Sequence, residues 1–321
     1  MKKTLAPIIL FVYNRPEYTK RTVEALKRNE HASESELFVF ADGPKEDASE
    51  EQHNKIRQVR EYISSIEGFK NVHIELSDKN KGLAESIING VTKIVNLYGR
   101  VIVLEDDMIT SPYFLQYVNQ SLDLYELNEN VVCINGFNLL KDAPIKDRTY
   151  FQYGADCGGW ATWERGWRMF NTNTRDLQKQ ILSNRWLRKI FTYNGTYPYL
   201  EMLQDQIEGK IDSWAIRWYA SAVISQKLCL YPTKSLIQNI GFGDGTHTHD
   251  SNAYEATITA DKTITDFPKI VIEDSKVMRK EWEKLFRKLG YTSHLSLKTK
   301  FKRRLRKIKT CLKKYLDRSE K

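Results

Sequence analysis

The sequence predicts an α/β protein built on a mostly parallel sheet, and three observations predict it. Short apolar runs recur through the first hundred residues: 7–13 (PIILFVY), Leu37–Ala41, Val72–Leu76 and Val101–Leu104. Helix-periodic segments separate them. Each run then breaks into polar or charged residues, as strands buried on both faces do where they leave a sheet. Ligands of such sheets bind beyond the carboxyl ends of the strands. Tyr13-Asn14-Arg15, Asp42 and Glu105-Asp106-Asp107 stand at those ends and are the candidate binding residues.

Taken in order, residues 7–13 form the first strand. The helix after it starts at Pro16, where a missing N–H costs nothing, and runs to about Arg28 with Val23 and Leu26 on one face. Leu37–Ala41 is a second strand, ended by Asp42-Gly43-Pro44. A polar, helix-periodic stretch covers 49–66, and Val72–Leu76 alternates as a third strand. Gly82–Leu97 is helical, with Leu83, Ile87, Val91, Ile94 and Val95 along one side, and Val101–Leu104 leads straight into three carboxylates. Beyond this point the pattern is less regular. Helices are expected over Ser111–Tyr125, Ser183–Phe191 and Trp214–Ser225, and a strand over Val131–Ile134. Trp160, Trp163 and Trp167, at spacings of three and four, fall on one face of a helix.

The net charge of the 321-residue chain is +9, but it is unevenly spread. Residues 276–321 hold 18 Lys/Arg and 4 Asp/Glu, a surplus of +14 that leaves the remaining 275 residues at −5. The expected division is a body over 1–275, with a nucleotide-binding half over about 1–110 and an acceptor half over about 111–275, followed by a basic tail over 276–321. Within the tail, Leu297, Phe301, Leu305, Ile308, Leu312, Tyr315 and Leu316 recur at helical steps among lysines and arginines. That is a basic amphipathic helix of the kind that lies on an anionic membrane surface. No recognised nucleic-acid motif or aromatic stacking platform accompanies it, so no nucleic-acid partner is expected. No apolar run approaches the ~20 residues of a membrane-spanning helix, and the N-terminal apolar run is too short for a signal segment. Cys133, Cys157, Cys229 and Cys311 are too widely spaced for a zinc cluster or a disulfide framework. Together these features suggest a cytoplasmic protein, peripheral on the cytoplasmic face of the membrane.

Glu105-Asp106-Asp107 is the sharpest chemical signal. Adjacent carboxylates repel one another and are costly to bury unpartnered. A divalent cation shared with a phosphate relieves both costs, and hard oxygen ligands favour Mn²⁺ or Mg²⁺. Asp78-Lys79-Asn80-Lys81-Gly82 precedes a helix and brings a lysine and backbone amides to where a phosphate or ribose fits.

The ordered set Val12-Tyr13-Asn14-Arg15, Asp42, Asn80-Lys81-Gly82, Leu104-Glu105-Asp106-Asp107 with Pro112-Tyr113-Phe114, Gly158-Gly159-Trp160, Asp212-Ser213-Trp214 and the loop 241–249 resembles GT-A fold glycosyltransferases. It is similar to the bacterial family two enzymes, and most of all to the N-acetylglucosaminyltransferase I branch. The resemblance spans roughly residues 5–250. It implies a metal-dependent transferase that moves a sugar from a nucleotide-sugar, UDP-linked by expectation, to a hydroxyl of a glycan or lipid-linked saccharide acceptor. Inversion at the anomeric carbon and a place in surface polysaccharide synthesis are further expectations. By the same resemblance, Asp107 holds Mn²⁺ (or Mg²⁺) on the diphosphate, and Glu105 and Asp106 contact sugar and ribose hydroxyls. Arg15 and Asp42 lie at the base and phosphate end, with Lys81 and Gly82 beside them, and Trp160 walls the donor or acceptor pocket. Asp212 is the catalytic base, with Asp205 as the fallback, because the branch has Trp-Asp-Asp-Trp where this chain has Ile211-Asp212-Ser213-Trp214.

The glycine-rich segment 241–252 is expected to be a lid, with His247 as a further metal or diphosphate contact and His249 nearby. Two other readings are compatible with these residues. A sugar nucleotidyltransferase also joins an α/β sheet to carboxylates and a metal, although its Gly-rich first loop is missing here. A non-catalytic membrane-surface or nucleic-acid binding module on a degenerate transferase fold is the other.

Overall fold

In the computed structural model, residues 4–140, 144–145, 149–241, 258, 263–268 and 275–291 are described. Strand β1 (Ile8–Val12) is buried along its whole length. Its side chains alternate between two apolar clusters, Ile8, Leu10 and Val12 facing one and Ile9 and Phe11 the other. A strand covered on both faces has no polar side to show, which is why it reads as a continuous apolar run. Helix α1 (Pro16–Lys27) follows, then β2 (Glu36–Ala41), α2 (Glu50–Ser64), β3 (Asn71–Leu76), α3 (Leu83–Tyr98) and β4 (Arg100–Glu105). Helix α2 opens on a capping box in which the Ser49 side chain and Gln52 exchange hydrogen bonds.

The rest of the chain forms β5 (Met108–Thr110), α4 (Phe114–Leu124), β6 (Val131–Asn135), β7 (Thr149–Tyr153), β8 (Trp160–Trp163), α5 (Glu164–Trp167), α6 (Thr174–Ser183), α7 (Arg185–Phe191), α8 (Tyr199–Ile207), α9 (Trp214–Ile224), β9 (Leu228–Pro232), β10 (Ile237–Asn239) and α10 (Lys276–Lys288). Eight strands make one sheet in the order β3-β2-β1-β4-β8-β6-β9-β7. Its first four strands are parallel, as expected. Strand β8 runs antiparallel between β4 and β6, β9 is parallel to β6, and β7 is antiparallel at the far edge. Strands β5 and β10 form a separate antiparallel ribbon. Helices α1, α2 and α4 cover one face of the sheet, and α3, α5 and α9 the other. Helices α6 to α10 build a third cluster around Phe191, Leu200, Leu203 and Tyr219.

Two expectations are corrected here. Trp160, Trp163 and Trp167 do not share a helix: the first two lie in strand β8 and the third ends the one-turn helix α5. The basic segment does not leave the body at 276 either. Helix α10, its first part, buries Met278, Trp282 and Phe286 against the body, and the Trp282 indole N–H donates to Tyr150 Oη at 3.1 Å. Its Arg279 and Glu283 are buried too, with Arg279 over the Tyr193 ring. The amphipathic pattern over 297–316 lies outside the described residues. Among those residues no helix is long and apolar enough to cross a membrane.

Candidate active site

Parallel pairing brings the candidate residues to one end of the sheet. Phe11 of β1 is in register with Glu105 of β4, so the turn after β1 lies beside the carboxylate triplet. Arg15 precedes Pro16, which disfavours the helical region for it, and sits at φ −120°, ψ 75°, just outside helix α1. From there its guanidinium spans two aspartates. Nη2 and Nε donate to the two oxygens of Asp106, the latter at 3.3 Å, and Nη1 donates to Asp107 Oδ2 at 3.1 Å. The Thr22 hydroxyl donates to the Asp106 carbonyl at 2.8 Å, fixing the turn from helix α1.

Asp106 and Asp107 are only 3% and 9% exposed. Asp107 Oδ1 is buried and has no hydrogen-bond partner. Its carbonyl accepts from Ile240 N at 2.9 Å, which ties the end of β10 to the triplet. Gly241 follows, and a Cβ on it would collide with Asp107 Oδ2, so only glycine allows the chain to pass so close. His247 and the rest of the glycine-rich segment beyond Gly241 lie outside the described residues.

The electrostatics follow from burial. Glu105 is pushed up to about 8 by desolvation first and then by Asp107 and Asp106 beside it. Desolvation also raises Asp106 to about 6, with Arg15 opposing. Arg15, held between two carboxylates, is shifted further toward its charged form. A carboxylate whose folded-state pKa lies above its unfolded value favours the protonated folded state. Its stabilising contribution is complete below the unfolded value and is lost as pH rises through the folded one. Metal-free protein should therefore lose thermal stability between pH ~5 and pH 8, the window set by the Glu105 shift from 4.5 to about 8. In Glu105→Gln that loss should be smaller, so the gap between the two melting curves should widen with pH. Parallel pH profiles would show that Glu105 does not titrate in this window.

Asp42, at the end of β2, is fully engaged by the chain itself. Its Oδ1 accepts from Gly43 N and Lys81 N, and its Oδ2 from Gly82 N and Asn80 Nδ2, at 2.8–3.0 Å. It is the post that ties the 79–82 turn to the sheet. The Lys81 and Gly82 amides are committed to Asp42 rather than offered to a phosphate, while the Lys81 side chain is exposed. Gly82, at φ 78°, sits in a backbone region that L side chains avoid and caps helix α3.

Trp160 is not a pocket wall. It is 1% exposed and packs within 5.4–5.9 Å of the Trp214, Trp167 and Trp218 rings. Asp212 is well exposed, and its Oδ1 accepts from Arg217 Nη2 at 3.0 Å. It has no bond to the triplet. Trp214, however, stacks on Trp160, which pairs with Val103 in the strand that carries the triplet. The N-cap of α9 is Ser213, not Asp212. Asp205 is paired with Lys210 at 3.5 Å.

Two residues went unread in the sequence. Asn135 ends β6 with a buried, unpartnered Oδ1. Asp156 accepts from Cys157 N at 2.7 Å, and burial pushes its carboxyl up. The available signals were an Asn closing an apolar run and an Asp two residues before Gly158-Gly159.

Among the described residues no three His, Cys, Asp or Glu side chains are grouped to hold a metal by themselves. Asp107 Oδ1, a buried hard oxygen without a partner, nevertheless fits one ligand position of a Mn²⁺ or Mg²⁺ ion.

Distant likeness extends to solved structures. TarS of S. aureus is 10% identical with a TM-score of 0.30, over 47% of this chain and 24% of TarS, so the chain spans about a quarter of that protein. The mannosyltransferase PcManGT from Pyrobaculum calidifontis, solved with GDP-Man and Mn²⁺, is 9% identical with a TM-score of 0.36, over 69% of this chain and 68% of that one. The model of the GNT-I family matches residues 1–172, more than half of the chain and the part that holds β1 to β4, the carboxylate triplet and β8. The chain belongs to the GNT-I family.

Proposed function

We propose that this chain transfers a sugar from a nucleotide-sugar donor, UDP-linked by the resemblance of its motifs, to a hydroxyl of a glycan or lipid-linked saccharide. The observation that carries this reading is the buried, unpartnered Oδ1 of Asp107 inside a carboxylate triplet at the carboxyl end of β4. Asp107 would hold a divalent cation, Mn²⁺ or Mg²⁺, which when bound offsets the charge that develops on the departing diphosphate. Asp106 is engaged by Arg15 on both oxygens and orients that arginine rather than a sugar. Glu105 is left to contact the donor. Asp42 keeps the 79–82 turn in place beside the nucleotide end.

Asp212 is the proposed base. Arg217 fixes its Oδ1, and Oδ2 is open to take the proton of the acceptor hydroxyl. The acceptor oxygen then bonds to the anomeric carbon from the face opposite the diphosphate, the carbon–oxygen bond to the diphosphate breaks, and the configuration inverts. The basic segment beyond α10 suggests attachment to an anionic membrane that carries the acceptor, consistent with surface polysaccharide synthesis.

A thermal-shift screen of UDP-, GDP-, CDP- and dTDP-sugars, with and without Mn²⁺, tests the donor reading. A ligand at 100 times its Kd adds about 2.7 kcal/mol to apparent stability, or roughly 5–10 °C for a domain of this class. One nucleotide should give such a rise, and only with Mn²⁺; a flat screen would reject a nucleotide-sugar site. Removal of 296–321 should preserve transfer to a soluble acceptor but abolish sedimentation with anionic vesicles. Undiminished sedimentation would reject membrane attachment through this segment.

A further inference from the structure

Arg15 is placed unequally between its two partners. It takes both oxygens of Asp106 but only Oδ2 of Asp107, whose Oδ1 stays buried and unpartnered. Its position is constrained as well: Pro16 follows it, its carbonyl accepts from Thr19 N and from the Thr19 hydroxyl, and its guanidinium lies 5.4 Å from the Tyr18 ring centre. A positive group is therefore fixed on one oxygen of the carboxylate whose other oxygen a cation would use.

We infer that Arg15 is an internal counter-ion that competes with the divalent cation for Asp107, and so makes cation binding depend on the nucleoside diphosphate. The inference rests on the cation assignment proposed above. Mg²⁺ requires about six oxygens in octahedral array. Asp107 supplies two at most, and Arg15 holds one of them. Among the described residues no grouping of three acidic, His or Cys side chains makes up the remainder. A cation arriving alone at Oδ1 must sit, in a poorly solvated place, against a guanidinium bonded to the other oxygen of the same carboxylate, and taking both oxygens would break that charge-assisted hydrogen bond. A cation arriving on a diphosphate brings oxygens of its own and the negative charge that offsets the arginine. Thermodynamic linkage then requires the cation to strengthen nucleotide binding by the same factor that the nucleotide strengthens cation binding.

The test is calorimetric titration of Mn²⁺ into the full chain, alone and with each of UDP, GDP, CDP and dTDP at saturation. Wild-type protein should bind Mn²⁺ weakly alone and at least about tenfold more tightly with one of the diphosphates, the scale of one charge-assisted bond. In Arg15→Gln, Mn²⁺ alone should bind about tenfold more tightly than in wild type, and the nucleotide should add less. Asp106 loses its partner in that variant, so Arg15→Lys provides a second measure. Lysine keeps the charge near Asp106 but lacks the fork that reaches Asp107, and Mn²⁺ alone should again bind more tightly than in wild type. If folded Arg15→Gln, or Arg15→Lys where the first does not fold, binds Mn²⁺ alone no better than wild type, the counter-ion role is overturned. Wild-type protein that binds Mn²⁺ equally well with and without every diphosphate overturns it too. Failure of wild type and both variants to bind Mn²⁺ under any condition removes the cation assignment itself, and the counter-ion role with it.

Discussion

Asp107→Asn should abolish sugar transfer while leaving the protein folded. The amide keeps the shape of the carboxylate and its bond to Arg15, but it removes the negative charge that makes Oδ1 a ligand for a hard cation. Loss of such a directly charge-stabilising group lowers kcat/KM by about 10³-fold or more. The effect on folding should be small, because weakening the Arg15 pair is offset by relieving repulsion with Glu105. Steady-state transfer assays across a Mn²⁺ series, with circular dichroism as the fold control, read both parts. A folded variant with wild-type turnover and the same Mn²⁺ dependence would show that the cation lies elsewhere.

Trp160→Ala should be among the most destabilising single changes in the molecule. The indole is fully enclosed by Trp167, Trp214 and Trp218 and sits in the strand that joins the two halves of the sheet. Removing such a buried ring costs about 3–5 kcal/mol, against a total stability of about 5–15 kcal/mol for a domain. Urea denaturation should show this as a lower midpoint with an unchanged slope. Trp160→Phe should recover much of the loss, and its KM for donor and acceptor should match wild type. An alanine variant that is as stable as wild type but has a raised KM would restore Trp160 to the pocket.

The parts of the fold that were legible in the sequence are those whose signal is local. Strands β1, β2 and β4 are unbroken apolar runs because both of their faces are covered, and the residues that end them mark the edge of the sheet. Glu105-Asp106-Asp107 needed no neighbour to be recognised. Trp160 is the opposite case. Its spacing to Trp163 and Trp167 is equally consistent with a helix face and with a strand followed by a single helical turn. The choice is made by pairing with Val103, which no local pattern records. Asp42 was correctly placed at a strand end, but four N–H groups from 43 and 80–82 converge on it only after the turn folds back. Arg15 and Asp106 are 91 positions apart, and their pairing is likewise a product of the parallel register. Charge alone starts the tail at 276, whereas Met278, Trp282 and Phe286, each four residues apart, form the apolar stripe that seats α10 on the body.

The late arrival of β8 shapes the order in which the chain matures. Every strand bonded to β1 or β2 is synthesised by residue 105, yet β4 lacks its second neighbour until Trp160–Trp163 has emerged. At 5–20 residues per second, that leaves one edge of β4 bare for ~3–12 s. Strand β6 waits longer still, since β9 lies beyond α9. An unpaired, apolar edge is the surface on which strands from other chains add. Such long-range pairing also slows folding, because loop closure must precede the contacts that reward it. The nascent chain is thus most exposed to misassembly between the completion of its four parallel strands and the insertion of a single four-residue strand.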